Sequence, residues 1–285
     1  STPKPSSAAS DVYKRQFLHS STLTTLEFNF FSVLMLLKRS KYPYPITFLS
    51  FNRINPFSSS FFPEKVIMKL SESTVNLLKN FSSINQSILF KEGNKLRSIS
   101  VMKNILVEAT VEESFPKDFG IYDLNQFLNG LSLHASPELD FKSNDFVMIR
   151  EGKMRSKYFF ADPSVIVSPP DKSITLPSVD VEFPLKSSQL DRLLKAAAVY
   201  HLTDLSVVGD GKEIKMVVSD RKNDTSNDFS IVVGETTKTF GLHFKVENIK
   251  IVPGTYEVKI SRKLLSQFTS SEYDLTYYIA LEPDL

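Results

Sequence analysis

The sequence predicts an α+β fold made of two duplicated domains, each a mostly antiparallel sheet with helices on one face. Three observations predict it. Two amphipathic helical segments recur about 116 residues apart, each is followed by a strand pattern turning at a glycine, and similar closing motifs lie 120 residues apart in the same order.

In the first half, Ser71–Ile84 (SESTVNLLKNFSSI) opens with a capping serine and an early Glu72. Leu77, Leu78, Phe81 and Ile84 share one face of that helix, while Asn76, Lys79 and Ser83 lie on the other. Residues 88–100 (ILFKEGNKLRSIS) read as a hairpin. Phe119–Leu133 (FGIYDLNQFLNGLSL) predicts a helix burying Leu124, Phe127, Leu128 and Leu131. Its outer face, with Asn125, Gln126 and Asn129, is rich in amides and carries no charge. YFFADP (158–163) closes the half.

The Pro pair and serines of 164–179 mark a connector, and its valines and isoleucines suit packing on a neighbour. The expected division is a first domain over 68–167, a connector over 168–178 and a second domain over 179–285. In the second half, Lys186–Ala198 repeats the helix, with Leu190, Leu193, Leu194 and Ala197 inward and Arg192 and Lys195 outward. A hairpin follows at 205–219. Residues 240–261 read as a strand, a short helix that includes Lys250, and another strand; YIALEP (278–283) ends the pattern.

The net charge of +2 conceals an uneven distribution. Residues 1–67 hold eight Lys/Arg and three Asp/Glu, so 68–285 carry 26 basic against 29 acidic residues. Binding to nucleic acid by this mildly acidic body must come from local placement of cations. Residues 1–67 show no sustained period. SSAASDVYKRQ (Ser6–Gln16) resembles translated adapter sequence, which makes the segment extraneous or disordered, with Met68 as the start. FFSVLMLL (Phe30–Leu37) is too short to span a bilayer, and no membrane association is expected.

Little here suits catalysis. There is no cysteine, and the four histidines show no ligand spacing, so no metal is expected. GDGKE (209–213) reads as a hairpin turn, not a phosphate loop, and Glu112–Glu113 read as solvated surface. No catalytic residue and no cofactor are expected.

MKLSESTVNLLKNFSSIN (68–85), FGIYDLNQFLNGLSL and YYIALE (277–282) resemble the DNA-polymerase sliding clamps of T-even-type tailed bacteriophages. The resemblance covers nearly all of 68–285 and none of 1–67. It implies the DNA-clamp fold in a homotrimeric ring, with sheets outside and helices lining the hole. It also implies duplex DNA held without sequence specificity, a tethered DNA polymerase and a clamp-loader ATPase, in the cytoplasm of an infected bacterial host. On that reading Lys79, Arg192 and Lys195 face DNA, with Lys69 and Lys186 nearby. Asn125, Gln126 and Asn129 supply a neutral polar wall. A partner-peptide pocket is expected at Val165, Val167, Ile279 and Leu281. A β-rich oligomeric viral structural or assembly protein without DNA binding stays open as the alternative, as does a hydrolase whose site the motifs miss.

Overall fold

The computed structural model describes residues 67–283, and the expectations for residues 1–66 lie outside them. The first half runs β1 (Ile67–Met68), α1 (Glu72–Ile84), β2 (Ile88–Phe90), β3 (Gly93–Ile99), β4 (Ile105–Phe115), β5 (Phe119–Ile121), α2 (Leu124–Ser132), β6 (Glu138–Asp140), β7 (Phe146–Glu151) and β8 (Met154–Phe159). The second runs β9 (Val181–Leu185), α3 (Ser187–Tyr200), β10 (Asp204–Asp210), β11 (Glu213–Ser219), β12 (Phe229–Glu235), β13 (Thr239–Lys245), β14 (Tyr256–Ser261), β15 (Leu265–Ser270) and β16 (Leu275–Ala280).

The duplication is visible in the topology. The strand order β1-β6-β7-β8 is matched by β9-β14-β15-β16. Likewise the pairs β3 with β4 and β2 with β5 are matched inside the sheet β12-β11-β10-β13. All these pairings are antiparallel. β4 of the first half pairs with β16 of the second, so one six-stranded sheet, β3-β4-β16-β15-β14-β9, crosses the domain boundary. The corresponding strands β8 and β12 are each paired on one side only among the described residues.

Helix positions follow from caps and apolar spacing. The Ser71 hydroxyl accepts from Thr74 N at 3.3 Å, and Leu77, Leu78, Phe81 and Ile84 of α1 are buried. Asp123 caps α2 by accepting from Gln126 N at 2.9 Å, and all four expected apolar residues of α2 are buried. In α3, Leu190, Leu193 and Ala197 are buried and Leu194 is half-buried against them. Phe90, Phe115 and Phe119 form an aromatic cluster, with Phe90 and Phe119 stacked at 4.5 Å.

Several expectations need correction. Residues 88–100 do not form a paired hairpin: β2 pairs with β5, and β3 with β4. Phe90 stacks on Phe119, and Asp118 holds the turn through Glu92 N at 2.8 Å and Lys91 Nζ at 2.9 Å, which commits β2 to β5. The expected fourth helix is a single 3-10 turn, Val246–Asn248, and Lys250 lies beyond it. Its β-branched residues and the following Pro253 disfavour a longer helix. The closing motifs lie 120 residues apart in sequence, and their bridges are offset by one more: Ala161 bridges to Gly120 as Glu282, 121 residues on, bridges to His243. Glu113 is not simple solvated surface. It accepts from Thr74 Oγ1 at 2.6 Å and from Ser71 N, tying β4 to the start of α1. Burial pushes its carboxyl up, but these hydrogen bonds outweigh burial and leave it below the usual glutamate range.

Candidate nucleic-acid interface and partner-docking face

With their apolar stripes sunk in the core, the helices leave polar stripes in solvent. On α1 this stripe includes Glu72, Asn76, Lys79 and Ser83. On α3 it includes Asp191, Arg192, Lys195 and Ala198. Lys79, Arg192 and Lys195 are therefore exposed and share the solvent side of their helices, as expected. Glu72 offsets Lys79, so the α1 stripe is formally neutral, and Asp191 against Arg192 and Lys195 leaves the α3 stripe only weakly cationic.

The weaker candidates differ among themselves. Lys69 is exposed but engaged: its Nζ lies 3.6 Å from Glu138 Oε1 and donates to Ser136 Oγ at 3.1 Å. Lys186 is exposed at the N-cap of α3, where its backbone N–H donates to Gln189 Oε1 at 3.0 Å. Its charge adds to the positive end of the helix dipole. Asn125, Gln126 and Asn129 are exposed together on α2. Lys250 is exposed, and its Nζ donates to Ser83 O at 2.8 Å across the domain boundary.

Of the four residues expected at a peptide pocket, two are buried and two are exposed. Ile279 is fully buried and Leu281 is 5% exposed, so both belong to the core. They occupy core positions because Ile279 stands opposite Ser266, itself fully buried, on the inner side of the sheet. Val165 and Val167 are exposed, at 57% and 38%. The outward neighbour on β16 is Tyr278. It forms a separate small buried cluster with Ile99 and Leu106, covered by Ile174 of the connector and Leu265. The connector is fastened over this side of the sheet. Arg97 Nη1 donates to Pro170 O at 2.7 Å, and Asn85 Nδ2 donates to Val167 O at 3.1 Å. Arg97 is itself held by Glu108, with Nε to Oε1 at 2.8 Å. A groove of about 310 Å³ runs alongside, lined by residues that include Arg97, Glu108, Asp171 and Thr276. The alternation of Tyr277, Tyr278 and Ile279 contained the signal for this cluster, once the inner face was assigned.

A two-domain body with a continuous antiparallel sheet and paired helix stripes defines the class of DNA clamps, and comparison with known proteins agrees. Residues 69–168 match the family model for DNA polymerase processivity factors, and residues 182–283 match that for the C-terminal part of the gp45 sliding clamp. The sliding clamp of Vibrio phage KVP40 is 32% identical over 221 residues, covering 75% of this chain and 99% of that protein. The sliding clamp of Enterobacteria phage T4 is 30% identical, covering 76% and 98%. Among solved structures, A. fulgidus PCNA with the C-terminal region of FEN-1 bound superimposes with a TM-score of 0.60 at 14% identity, over 78% of this chain and 99% of that one. DNA polymerase III subunit beta from Borrelia burgdorferi gives 0.60 at 12% identity, over 77% and 63%. The chain belongs to the phage sliding-clamp family of DNA polymerase processivity factors. These relatives favour the clamp reading and not the viral structural alternative.

Proposed function

We propose that this chain closes into a homotrimeric ring around duplex DNA, slides without reading sequence, and tethers a replicative DNA polymerase. The carrying observation is the pairing of β4 with β16 inside the subunit. The duplicated topology leaves the equivalent strands, β12 and β8, paired on one side only among the described residues. A second copy that repeats the internal junction pairs its β12 with β8 of the first, and so on around a ring. Such head-to-tail pairing hides both edges in a closed cycle.

In that ring Lys79, Arg192 and Lys195 meet phosphates, with Lys186 and the partly neutralised Lys69 as lesser contributors. Asn125, Gln126 and Asn129 touch DNA or its water layer without full charge. Weak, interchangeable phosphate contacts permit sliding, while topological linkage supplies retention. An apolar peptide of the polymerase docks on the connector, where half-buried Ile174 covers the buried cluster of Ile99, Leu106 and Tyr278. A clamp-loader ATPase opens the ring, and the setting is the cytoplasm of an infected bacterial host. The reading assigns no catalysis, metal or cofactor to this chain. No helix among the described residues is long and apolar enough to cross a membrane.

The test is charge reversal at Arg192 and Lys195 together. The expected outcome is intact assembly with loading on circular DNA and clamp-dependent synthesis both reduced, more so as salt rises. Wild-type loading and synthesis by the variant at every salt concentration overturn the assignment of this face.

A further inference from the structure

The internal junction and the edges left by the duplication can be compared residue by residue. Ala161 and Glu282 make equivalent bridges, which equates β8 with β16 at 121 residues. Tyr278 therefore corresponds to Lys157. β3 ends at Ile99 and β11 at Ser219, while core-facing Leu96 opposes Ala109 as core-facing Met216 opposes Ile231. Ala109 thus corresponds to Ile231, and Leu106, three residues earlier, corresponds to Asp228. In the internal junction Tyr278 stands opposite Leu106, with Ile99 beside it: the three residues of the apolar cluster. At the other edges the same positions hold Lys157, Asp228 and Ser219.

This substitution is part of a wider charge pattern. From Lys153 to Phe160 the chain has Lys153, Arg155 and Lys157 and no acid. From Asn223 to Glu235 it has Asp224, Asp228 and Glu235 and no base. Lys153, Arg155, Lys157, Asp224 and Asp228 are all exposed. Lys157 rests over the Phe146 ring at 4.9 Å, and neither it nor Asp228 has an ion-pair partner among the described residues. On the inner side, Met154 is 51% exposed, and it corresponds to Leu275, which the internal junction buries against Ala109. A second copy would cover it with Ile231.

Resting on the ring reading above, we propose that the seam between subunits is pinned by an ion pair between Lys157 of one copy and Asp228 of the next. The cationic edge β8 is the binding surface and the acid-flanked edge β12 of a second copy is its occupant. The pair stands where the internal junction has its apolar cluster. Two consequences follow. Each subunit has one such apolar cluster under its connector although it contains two clamp domains, because the seam position is ionic. The seam also weakens with salt, whereas the internal junction, joined by apolar contacts and by the chain itself, does not.

The experiment is sedimentation of the full 285-residue chain over a range of concentrations, at about 0.05 M and about 0.5 M salt. Lys157→Glu and Asp228→Lys each place like charges across the seam. Each is expected to raise the dissociation constant of the oligomer about tenfold at low salt, with a smaller difference at high salt. The double variant restores the opposite-charge pair and is expected to recover most of the affinity. The neutral variants Lys157→Gln and Asp228→Asn give a smaller loss and a flatter salt dependence. If the wild type assembles, and the single variants assemble equally well at low salt or the double variant recovers nothing while its circular dichroism stays native, the ion pair is overturned and the ring stands. A wild type that stays monomeric at every concentration overturns both.

Discussion

The Tyr277 hydroxyl of β16 donates to Asn80 Oδ1 of α1 at 2.8 Å, joining the last strand of the second domain to the first helix of the first. The same hydroxyl accepts from Val252 N at 3.2 Å, and Asn80 Nδ2 donates to Lys250 O at 3.0 Å. Tyr277 is fully buried, and burial pushes its hydroxyl well above the ordinary tyrosine range, so it stays a neutral donor. Tyr277→Phe deprives Asn80 and Val252 N of a partner. The expected loss is about 1–3 kcal/mol of stability, read from urea denaturation with an unchanged slope. A midpoint equal to wild type would remove this bond from the account of domain docking.

Acid should weaken the second domain through Asp204. Its carboxylate accepts from Lys245 Nζ at 2.5 Å, from Thr203 Oγ1 at 2.8 Å and from Arg221 N at 3.3 Å. Burial pushes the carboxyl up, but these partners outweigh burial and hold it below the usual aspartate range. Its folded value is thus lower than its unfolded value of about 3.9. The contribution to stability is complete above the unfolded value and lost as pH falls through the folded one. Asp204→Asn should therefore be less stable than wild type at neutral pH, and the gap should narrow as pH falls from about 5 to about 2. Denaturation at a series of pH values measures this; a gap independent of pH would contradict it.

The proposed docking of a polymerase peptide on the connector should be separable from the fold. Ile174 is half-buried on the connector, outside any strand. Ile174→Glu should weaken binding of an apolar polymerase-tail peptide about tenfold or more, while the thermal midpoint shifts by a few degrees at most. Fluorescence anisotropy with a labelled peptide reads the first effect and calorimetry the second. Wild-type affinity would move the docking site elsewhere.

The parts of the fold that were legible in sequence are those with a strong local period. α1, α2 and α3 each bury a stripe written plainly in leucines and phenylalanines, and the turn at Gly211 between β10 and β11 needs the positive φ of 88° that glycine supplies. Long-range pairing was not legible. That β2 leaves β3 for β5 depends on Phe90 meeting Phe119, 29 residues on. Gly120 looked unremarkable in sequence, yet a Cβ there would sit 2.4 Å from Ile166 Cδ1 and 2.8 Å from Ala161 O, so the strand accepts glycine alone without rearrangement. The basic residues of the helices were found because exposure follows from the helical period. That Tyr278 and not Ile279 joins the cluster on the outer side of the sheet was not legible, because it requires knowing which side of β16 faces the core, and a run such as LTYYIA does not say.

The six-stranded sheet also decides where such a body can flex. Its hydrogen bonds run without a break from β3 to β9, through the junction of the two domains. Bending there would shear the β4–β16 ladder and strip the Asn80–Tyr277 contact together. The internal joint of a subunit consequently resists torque. In the proposed ring, compliance would concentrate at the joints between separate chains, so that parting one seam would open a gate while every subunit kept its internal sheet intact.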